Sequence, residues 1–173
     1  MLPLILIAAL VVALALCGTV IAYMFRQTKY KDNQFTPAEV SCKVVEAFDG
    51  EQKTSIQIQN IGNIDAYLRV RFVSYWVDAD GNIVAKPSEM SEINMAAGWI
   101  KGQSNTYYYQ KPVAPDKPTD NLLSSPIILE KDENGYLQVL EAFAEAIQSE
   151  PQNAVTNSWG VTLDFNGNIS AAP

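Results

Sequence analysis

The first 25 residues constrain this chain more than any other stretch. Leu2 to Phe25 carries no charged residue and consists mainly of Leu, Ile, Val and Ala. A helix needs about 20 apolar residues to cross the hydrocarbon core of a membrane, so this run is long enough to span one. The remainder mixes polar and apolar residues, with turn signals throughout. The sequence therefore predicts an N-terminal apolar helix, either signal peptide or membrane anchor, followed by a separate domain.

Cleavage and retention of this helix each have support. Val20 and Ala22 place short side chains three residues and one residue before a cut that would leave Tyr23 first, a pattern that signal peptidase accepts. Against cleavage, the apolar run is longer than the usual signal-peptide core of about 7–15 residues, and nothing basic precedes it. If residues 2–25 are retained, they anchor the protein in a membrane.

The charges that follow the helix bear on its orientation. Arg26, Lys29 and Lys31 lie directly after it, and the positive-inside rule would then place the domain in the cytoplasm. Because a turn-rich β domain fits the outside of the cell better, we expect a few basic residues ahead of Met1. Cys17 follows a leucine, not the small residue of a lipid-attachment site, so we interpret it as an apolar part of the helix.

Composition limits what the rest of the chain can do. A net charge of −7 disfavours nucleic acid and anionic lipid as partners. After a cut behind Ala22, Cys42 is the only cysteine, so no intrachain disulfide is expected, which fits exported proteins of Gram-positive bacteria. Histidine is absent, which excludes Ser-His-Asp and Cys-His catalysis and the usual zinc sites. We therefore expect no enzyme activity and no cofactor.

Short alternating segments separated by turn residues predict a β-sandwich with one short helix. Asp49-Gly50 and Asp80-Gly81 are hairpin signals. The expected organisation is a signal peptide or anchor at 1–22, an extended connector or donor strand at 23–39 and the sandwich at 40–173. The strand candidates are Val40 to Phe48, Lys53 to Gln59, Ala66 to Val77, Ile83 to Ala85, Thr106 to Gln110, Ser125 to Glu130 and Val161 to Phe165.

The longest candidate, Ala66 to Val77, is expected to lie centrally in its sheet. Leu68, Val70, Phe72 and Trp76 lie on one face. The other carries Arg69 and Arg71 at its start and apolar residues at its end, so the second half is predicted to be covered on both faces. The two arginines are expected to pair with acidic residues across the sheet.

Tyr136 to Gln148 is ambiguous. Its Ala, Glu and Gln content and its i+4 apolar spacing favour a helix slightly, although the same apolar residues also share one face of a strand. After it, Ser149 is a candidate N-cap of a short helix with Pro151 in its first turn, ending at Trp159-Gly160.

Two sets of residues are candidate ligand sites. Asp78, Asp80, Asn82 and Glu89 have the spacing of a calcium loop, but Ile83 stands where such loops need glycine, so a plain hairpin turn is the favoured interpretation. Trp99, Tyr107 and Tyr109 are candidates for stacking against a glycan. Alternate tyrosines of a strand point opposite ways, however, and core packing is the favoured use.

Six short motifs along the chain belong together: Gly18 to Tyr23, Asn33 to Val40, Asn60 to Val70, Trp76, Ala144 to Gln148 and Trp159-Gly160. They span most of the chain and resemble the TasA-like matrix proteins of Gram-positive bacteria, which a SipW-type signal peptidase processes. The later motifs look like an uncharacterised clostridial branch of that family. Ala38 stands where the family usually has glycine.

The resemblance implies a jelly-roll-like sandwich, cleavage after Ala22 and a strand at 136–148. It also implies self-assembly by donor-strand exchange, in which residues 23–36 complete the sheet of the next subunit. A plain linker remains the alternative for that segment. The resulting hypothesis is an exported fibre subunit whose partner is itself. The alternative is a membrane-anchored extracellular module that binds cell-wall glycan or protein.

Overall fold

The computed structural model describes residues 36–90 and 92–173. Their regular structure is mostly antiparallel strand, with one short helix in this part of the chain, which confirms the mainly-β prediction. The predicted N-terminal apolar helix falls on residues that the structure does not describe. The elements are β1 Cys42–Phe48, β2 Gln52–Asn60, β3 Ala66–Val77, β4 Ile83–Val84, β5 Trp99–Lys101, β6 Thr106–Tyr109, β7 Ile127–Ile128, β8 Leu137–Gln148, α1 Asn153–Trp159, β9 Thr162–Leu163 and β10 Ile169–Ala171.

Two sheets face each other across the core. The first has the order β1-β2-β7, and β1 pairs with β2 from Cys42–Asn60 to Phe48–Lys53. In the second, β3 is central: β8 pairs along one side, while β6 and β4 pair along the other, with β5 beyond β6. A separate two-stranded sheet joins β9 and β10. The predicted hairpins at Asp49-Gly50 and Asp80-Gly81 are confirmed, because β1 pairs with β2 and β3 pairs with β4.

The core follows from the alternation of side chains along each strand. Every second residue of β3 turns one way, which places Leu68, Val70 and Phe72 against Ile56 and Ile58 of β2. All five are at most 3% exposed. Complete burial of such side chains contributes about 1.5–3 kcal/mol each before the entropic costs, so this face holds the two sheets together.

A third layer covers the start of the opposite face of β3. Tyr67 and Tyr108 contact Val155 and Trp159 of α1 there, and the rings of Tyr108 and Trp159 meet edge to face at 5.8 Å. Arg69 lies over the Trp159 ring at 4.6 Å, and its Nε donates to Glu145 at 3.1 Å. The predicted pairing across the sheet is confirmed for Arg69, whereas Arg71 has no ion pair with an acidic residue in the described part of the chain.

The second half of β3 corrects the sequence prediction. Val73 lies on the same face as Tyr67 but is 41% exposed, and Tyr75 and Val77 beside it are only half-buried. The layer formed by α1, β9 and β10 covers the arginine-bearing half, because Tyr67 and Tyr108 supply the apolar surface on which it packs. The apolar end of this face therefore stays open among the described residues.

Residues 137–148 form a strand, as the resemblance implies. All twelve residues of β8 pair with β3 in one unbroken register, from Leu137–Val77 to Gln148–Ala66. Leu140, Ala142, Ala144 and Ala146 face the core in alternation. The helical propensity of Ala and Glu is overridden by pairing along the whole length of a buried neighbour, so the helix interpretation is wrong.

The short helix begins later than predicted. Gln152 precedes its first turn, and the Ser149 N–H donates to the Asp65 carbonyl at 3.0 Å, so Ser149 is not its N-cap. Its end is as predicted: Gly160 has φ +68°, and its N–H donates to the Thr156 carbonyl at 3.0 Å. Glycine suits that left-handed position because it has no Cβ.

Candidate assembly surface

The outer edge of β8 is the longest strand edge without a backbone partner in the described part of the chain. One side of β8 is taken up by β3. On the other, the Gln138 N–H donates to the Glu130 carbonyl at 2.8 Å, and residues 139–148 have no ladder partner among the described residues. Since backbone groups alternate along a strand, Ala142, Ala144 and Ala146 share the outward direction of Gln138. Their outward amides and carbonyls have no backbone partner among the described residues.

This edge lacks the usual protection. Edge strands are normally guarded by Pro, by Lys, by bulges or by a covering element. β8 contains neither Pro nor Lys, and its register with β3 is unbroken. Its only charges are Glu141 and Glu145, of which Glu145 is paired with Arg69. No proline, lysine or break of register within β8 itself therefore stands against the addition of another strand.

A cleft of about 820 Å³ opens beside the first half of β8. Its lining includes Val44 and Phe48 of β1, Leu129, and Leu137 to Ala142 of β8. The Phe48 side chain is 51% exposed. At the opposite end β1 and β8 come together, where Cys42 and Ala144 pack on the same core. The cleft thus borders the unpaired edge with apolar side chains.

The charges of the cleft are mainly acidic. Lys53 is a basic residue of the lining, and its side chain is only 7% exposed. Its Nζ lies 2.5 Å from Glu46 Oε2. A buried ammonium needs such a partner, so this pair stabilises the wall only while both groups are present. Acidic residues outnumber basic ones in the lining. The acidic residues are Glu46, Glu51, Glu130 and Glu141, and the basic ones are Lys53 and Lys131. The charge of the cleft therefore favours the binding of a basic segment.

The start of the described chain is held at the far end of β1. The Glu39 N–H donates to Asn63 Oδ1 at 2.7 Å, and the Asn63 N–H donates to the Glu39 carbonyl at 3.0 Å. Gly62 permits this approach, because a Cβ there would lie 2.3 Å from the Glu39 carbonyl oxygen. Glu39 therefore belongs to the domain, and the predicted connector is shorter at this end. Residues 23–35 lie outside the described residues.

A second apolar surface lies on the face of the sheet turned away from the core, and it is continuous with the cleft because Tyr75, Val77, Leu137 and Val139 also line the cleft. It consists of six side chains on β3 and β8, and we call it the outer patch. Val73 is 41%, Leu137 48% and Phe143 43% exposed. The patch begins where the α1 layer ends and runs to the β3–β4 turn. Its members are Val73, Tyr75, Val77, Leu137, Val139 and Phe143.

The proposed glycan-stacking residues are part of the core. Trp99 is 4%, Tyr107 0% and Tyr109 9% exposed, and the rings of Trp99 and Tyr109 meet edge to face at 5.2 Å. Stacking on a sugar needs an open ring face, so these residues do not form a glycan platform in this fold. The alternation is as predicted, since Tyr108 points to the other face and packs with Trp159.

The candidate calcium residues form a hairpin turn. Asp78 Oδ1 accepts the N–H groups of Asp80 at 2.9 Å and of Asn82 at 2.8 Å. Hydrogen bonds lower the pKa of Asp78, and the bond from the Asn82 side chain is the largest cause. Glu89 takes no part in the turn; its carbonyl accepts from Gln138 Nε2 at 2.9 Å. Among residues 36–90 and 92–173, no cluster of three or more acidic or cysteine side chains is placed to hold a metal ion.

Two further turns repeat this design. Asp132 and Asp164 each accept the N–H groups two and four residues later, and in each the glycine at the fourth position has positive φ. The sequence Asp-x-Asn/Asp-Gly-x is therefore a turn motif here. It resembles a calcium loop because both use an aspartate followed by polar residues at alternate positions.

The predicted signal peptidase site, Val20, Ala22 and Tyr23, lies outside the described residues. Within the described part, the sole helix is too short and too polar to span a membrane. The sequence analysis did not identify the edge of β8 or the cleft beside it. The sequence feature that could have revealed this strand was the period-2 apolar pattern from Leu137 to Ile147. The Ala and Glu content of the segment favoured a helix and obscured it. Comparisons with protein-family models, curated proteins and solved structures find no match to this chain.

Proposed function

We propose that this chain is an exported structural subunit of cell-surface or biofilm-matrix fibres, which joins further copies of itself by β-strand addition. The observation that carries the proposal is the unpaired edge of β8 beside an apolar cleft. Main-chain hydrogen bonds give affinity in this mode of binding, and side-chain pockets along the edge give selectivity. In this proposal the fold is a jelly-roll or Ig-like β-sandwich, of which the resemblance implies the jelly-roll form.

The incoming strand in this proposal is the segment that follows the signal peptide of a neighbouring copy. Residues 23–35 carry Arg26, Lys29 and Lys31 against a single acidic residue, Asp32. The cleft lining is acidic, so the charges of segment and cleft are complementary. Thirteen extended residues reach about 43 Å, which is longer than an edge of twelve residues.

Electron microscopy of an Ala144→Pro variant tests strand addition. Proline lacks the outward N–H of this position and obstructs a neighbouring strand, whereas Ala144→Thr has similar bulk and keeps the N–H. We expect filaments from the wild type and from Ala144→Thr, and none from Ala144→Pro. Circular dichroism shows whether each variant is folded, and Ala146→Pro provides a second position. Filaments from folded Ala144→Pro protein would rule out this edge.

Intact-mass measurement of the protein recovered from its host tests export and processing. A chain beginning at Tyr23 agrees with a released fibre subunit. A chain that keeps residues 2–25 and stays with the membrane fraction agrees with an anchored module and contradicts the proposal.

A further inference from the structure

We infer that the outer patch is a contact surface for a second copy of this chain, packed face to face and antiparallel about a twofold axis. The contact uses side chains of the sheet face and not the backbone edge of β8. It therefore does not depend on strand addition, and it would join two copies, or two fibres, side by side.

The patch has the composition of a protein interface. Val73, Leu137 and Phe143 are each more than 40% exposed, and they form one surface with Tyr75, Val77 and Val139. Large exposed apolar patches mark interaction sites, and aromatic residues are enriched in the centres of interfaces. Phe143 and Tyr75 supply two aromatic rings here.

The shape of the neighbouring layer selects the antiparallel arrangement. The layer of α1, β9 and β10 covers one half of the sheet face and ends near Arg69 and Glu145. The outer patch lies on the uncovered half, so it is recessed by the thickness of that layer. A helix with its side chains and the gap between two packed sheets both measure about 10 Å. A copy rotated by half a turn places its own α1 layer beyond the far end of the patch, and the two sheet faces meet at normal packing distance. A parallel copy would set the two α1 layers against each other and hold the sheets apart.

The charges at the two ends of the patch favour the same arrangement. Arg71 lies at the α1 end, is exposed and has no anionic partner in the described part of the chain. At the other end is the β3–β4 turn, where Asp80 is exposed and has no cationic partner among the described residues. Antiparallel packing brings Arg71 of each copy over the turn that holds Asp80 of the other. The twofold axis repeats this pair, which a parallel arrangement does not form.

The charge inside the patch is compatible with such packing. Glu141 lies on β8 between Val139 and Phe143, and its carboxylate accepts from the Tyr75 hydroxyl at 3.5 Å. The residue is exposed, so its charged end can remain at the rim while the apolar side chains meet.

Sedimentation velocity tests the inference on the full chain, kept in solution by one non-ionic detergent for all variants. We expect concentration-dependent dimers of the wild type. Arg71→Glu and Asp80→Lys should each raise the dimer dissociation constant by about tenfold or more, because each places like charges together. The double variant restores opposite charges in both symmetric pairs, so its constant should return to within about threefold of the wild type. Both positions are exposed, and circular dichroism verifies that each variant is folded.

Two results would overturn the inference. The double variant could dimerise as weakly as the single variants or more weakly. The wild type could remain monomeric at every concentration. In that case, protection of Phe143 from hydroxyl-radical labelling would assign the patch to residues 1–35 of the same chain or to another partner. The Ala144→Pro variant separates the two proposals, since it should lose filaments and keep the face-to-face dimer.

Discussion

Tyr107 and Tyr109 point into the same core, but only one of their hydroxyl groups has a partner. Tyr109 Oη donates to Asp120 Oδ2 at 2.8 Å, whereas Tyr107 Oη is buried without a hydrogen bond in the described structure. An unsatisfied buried hydroxyl costs free energy, so its removal relieves that cost. Burial also raises the pKa of both side chains, which therefore stay protonated at neutral pH.

We therefore expect opposite effects of the two Tyr→Phe substitutions on the free energy of unfolding. Tyr107→Phe should be neutral or stabilising by up to about 1 kcal/mol, and Tyr109→Phe should destabilise by about 1 kcal/mol. Urea denaturation of both variants measures the difference. Equal losses at the two positions would show that the Tyr107 hydroxyl has a partner in solution.

The aspartates that organise the turns make stability depend on acid pH. Hydrogen bonds lower the pKa of each carboxylate; at Asp132 the largest cause is the Lys86 side chain, and at Asp164 it is the Asn168 N–H. A folded pKa below the unfolded value of about 3.9 gives stability that is complete above that pH and is lost as pH falls through the folded pKa. The same direction holds at Asp49 and Asp78.

Thermal denaturation between neutral pH and about pH 2 measures this loss, since the window follows from the lowered carboxylate pKa values. Asp132→Asn keeps an acceptor oxygen but cannot titrate, so the variant should be less stable at neutral pH and lose less on acidification. Glu133→Gln removes the same charge from the same turn without touching its hydrogen bonds, and it should follow the wild type. An unchanged acid slope in Asp132→Asn would contradict this account.

At the scale of the elements, α1 contributes mainly through one indole. Trp159 is 7% exposed and contacts Tyr108 and Arg69. Trp159→Ala should lower the free energy of unfolding by about 3–5 kcal/mol, because it leaves a cavity beneath the helix and exposes Tyr108. Phe165→Ala is the matched control, since that ring is 97% exposed and should matter little. Denaturant titration compares the two, and similar losses would mean that α1 is not packed as described.

Local signals predicted the hairpins and the end of the helix. Each hairpin turn is determined within a few residues, by Asp49-Gly50 and by Asp80-Gly81. The helix α1 ends at Gly160 because glycine is favoured in the left-handed conformation found there. Such features depend on backbone conformation and on hydrogen bonds between neighbours in sequence. They could be predicted without knowledge of the rest of the fold.

Features that depend on distant partners could not be predicted in this way. Leu137–Gln148 is a strand because β3 pairs along all of it, and the residues of β3 stand some 70 positions earlier. Trp99–Lys101 is too short to show a period, and only its pairing with Tyr107–Tyr109 makes it a strand. The open half of β3 and the cleft follow from where the α1 layer stops, which no local pattern records.

At the scale of the whole molecule, strand addition predicts a specific change in amide hydrogen exchange. In the unassembled chain the outward amides of Ala142, Ala144 and Ala146 should exchange rapidly, while amides of β3 are protected between two neighbours. On assembly the three alanine amides should become protected by at least about tenfold, because each gains a hydrogen-bond acceptor. Hydrogen exchange on monomer and filament fractions measures this. Unchanged exchange in filaments would mean that the copies join elsewhere.

The turn motif also has a consequence for the chemical stability of the chain. Asn-Gly sequences lose ammonia spontaneously when the glycine nitrogen attacks the asparagine side chain, and this chain has two, at Asn134 and Asn166. In both turns the following glycine N–H donates to the carbonyl of the leading aspartate at 3.0 Å, so the attacking nitrogen is held away from its target. Peptide mass spectrometry after prolonged storage should find both asparagines intact in folded protein and deamidated in denatured protein. The hydrogen bonds that shape the hairpins thereby also slow the ageing of the chain.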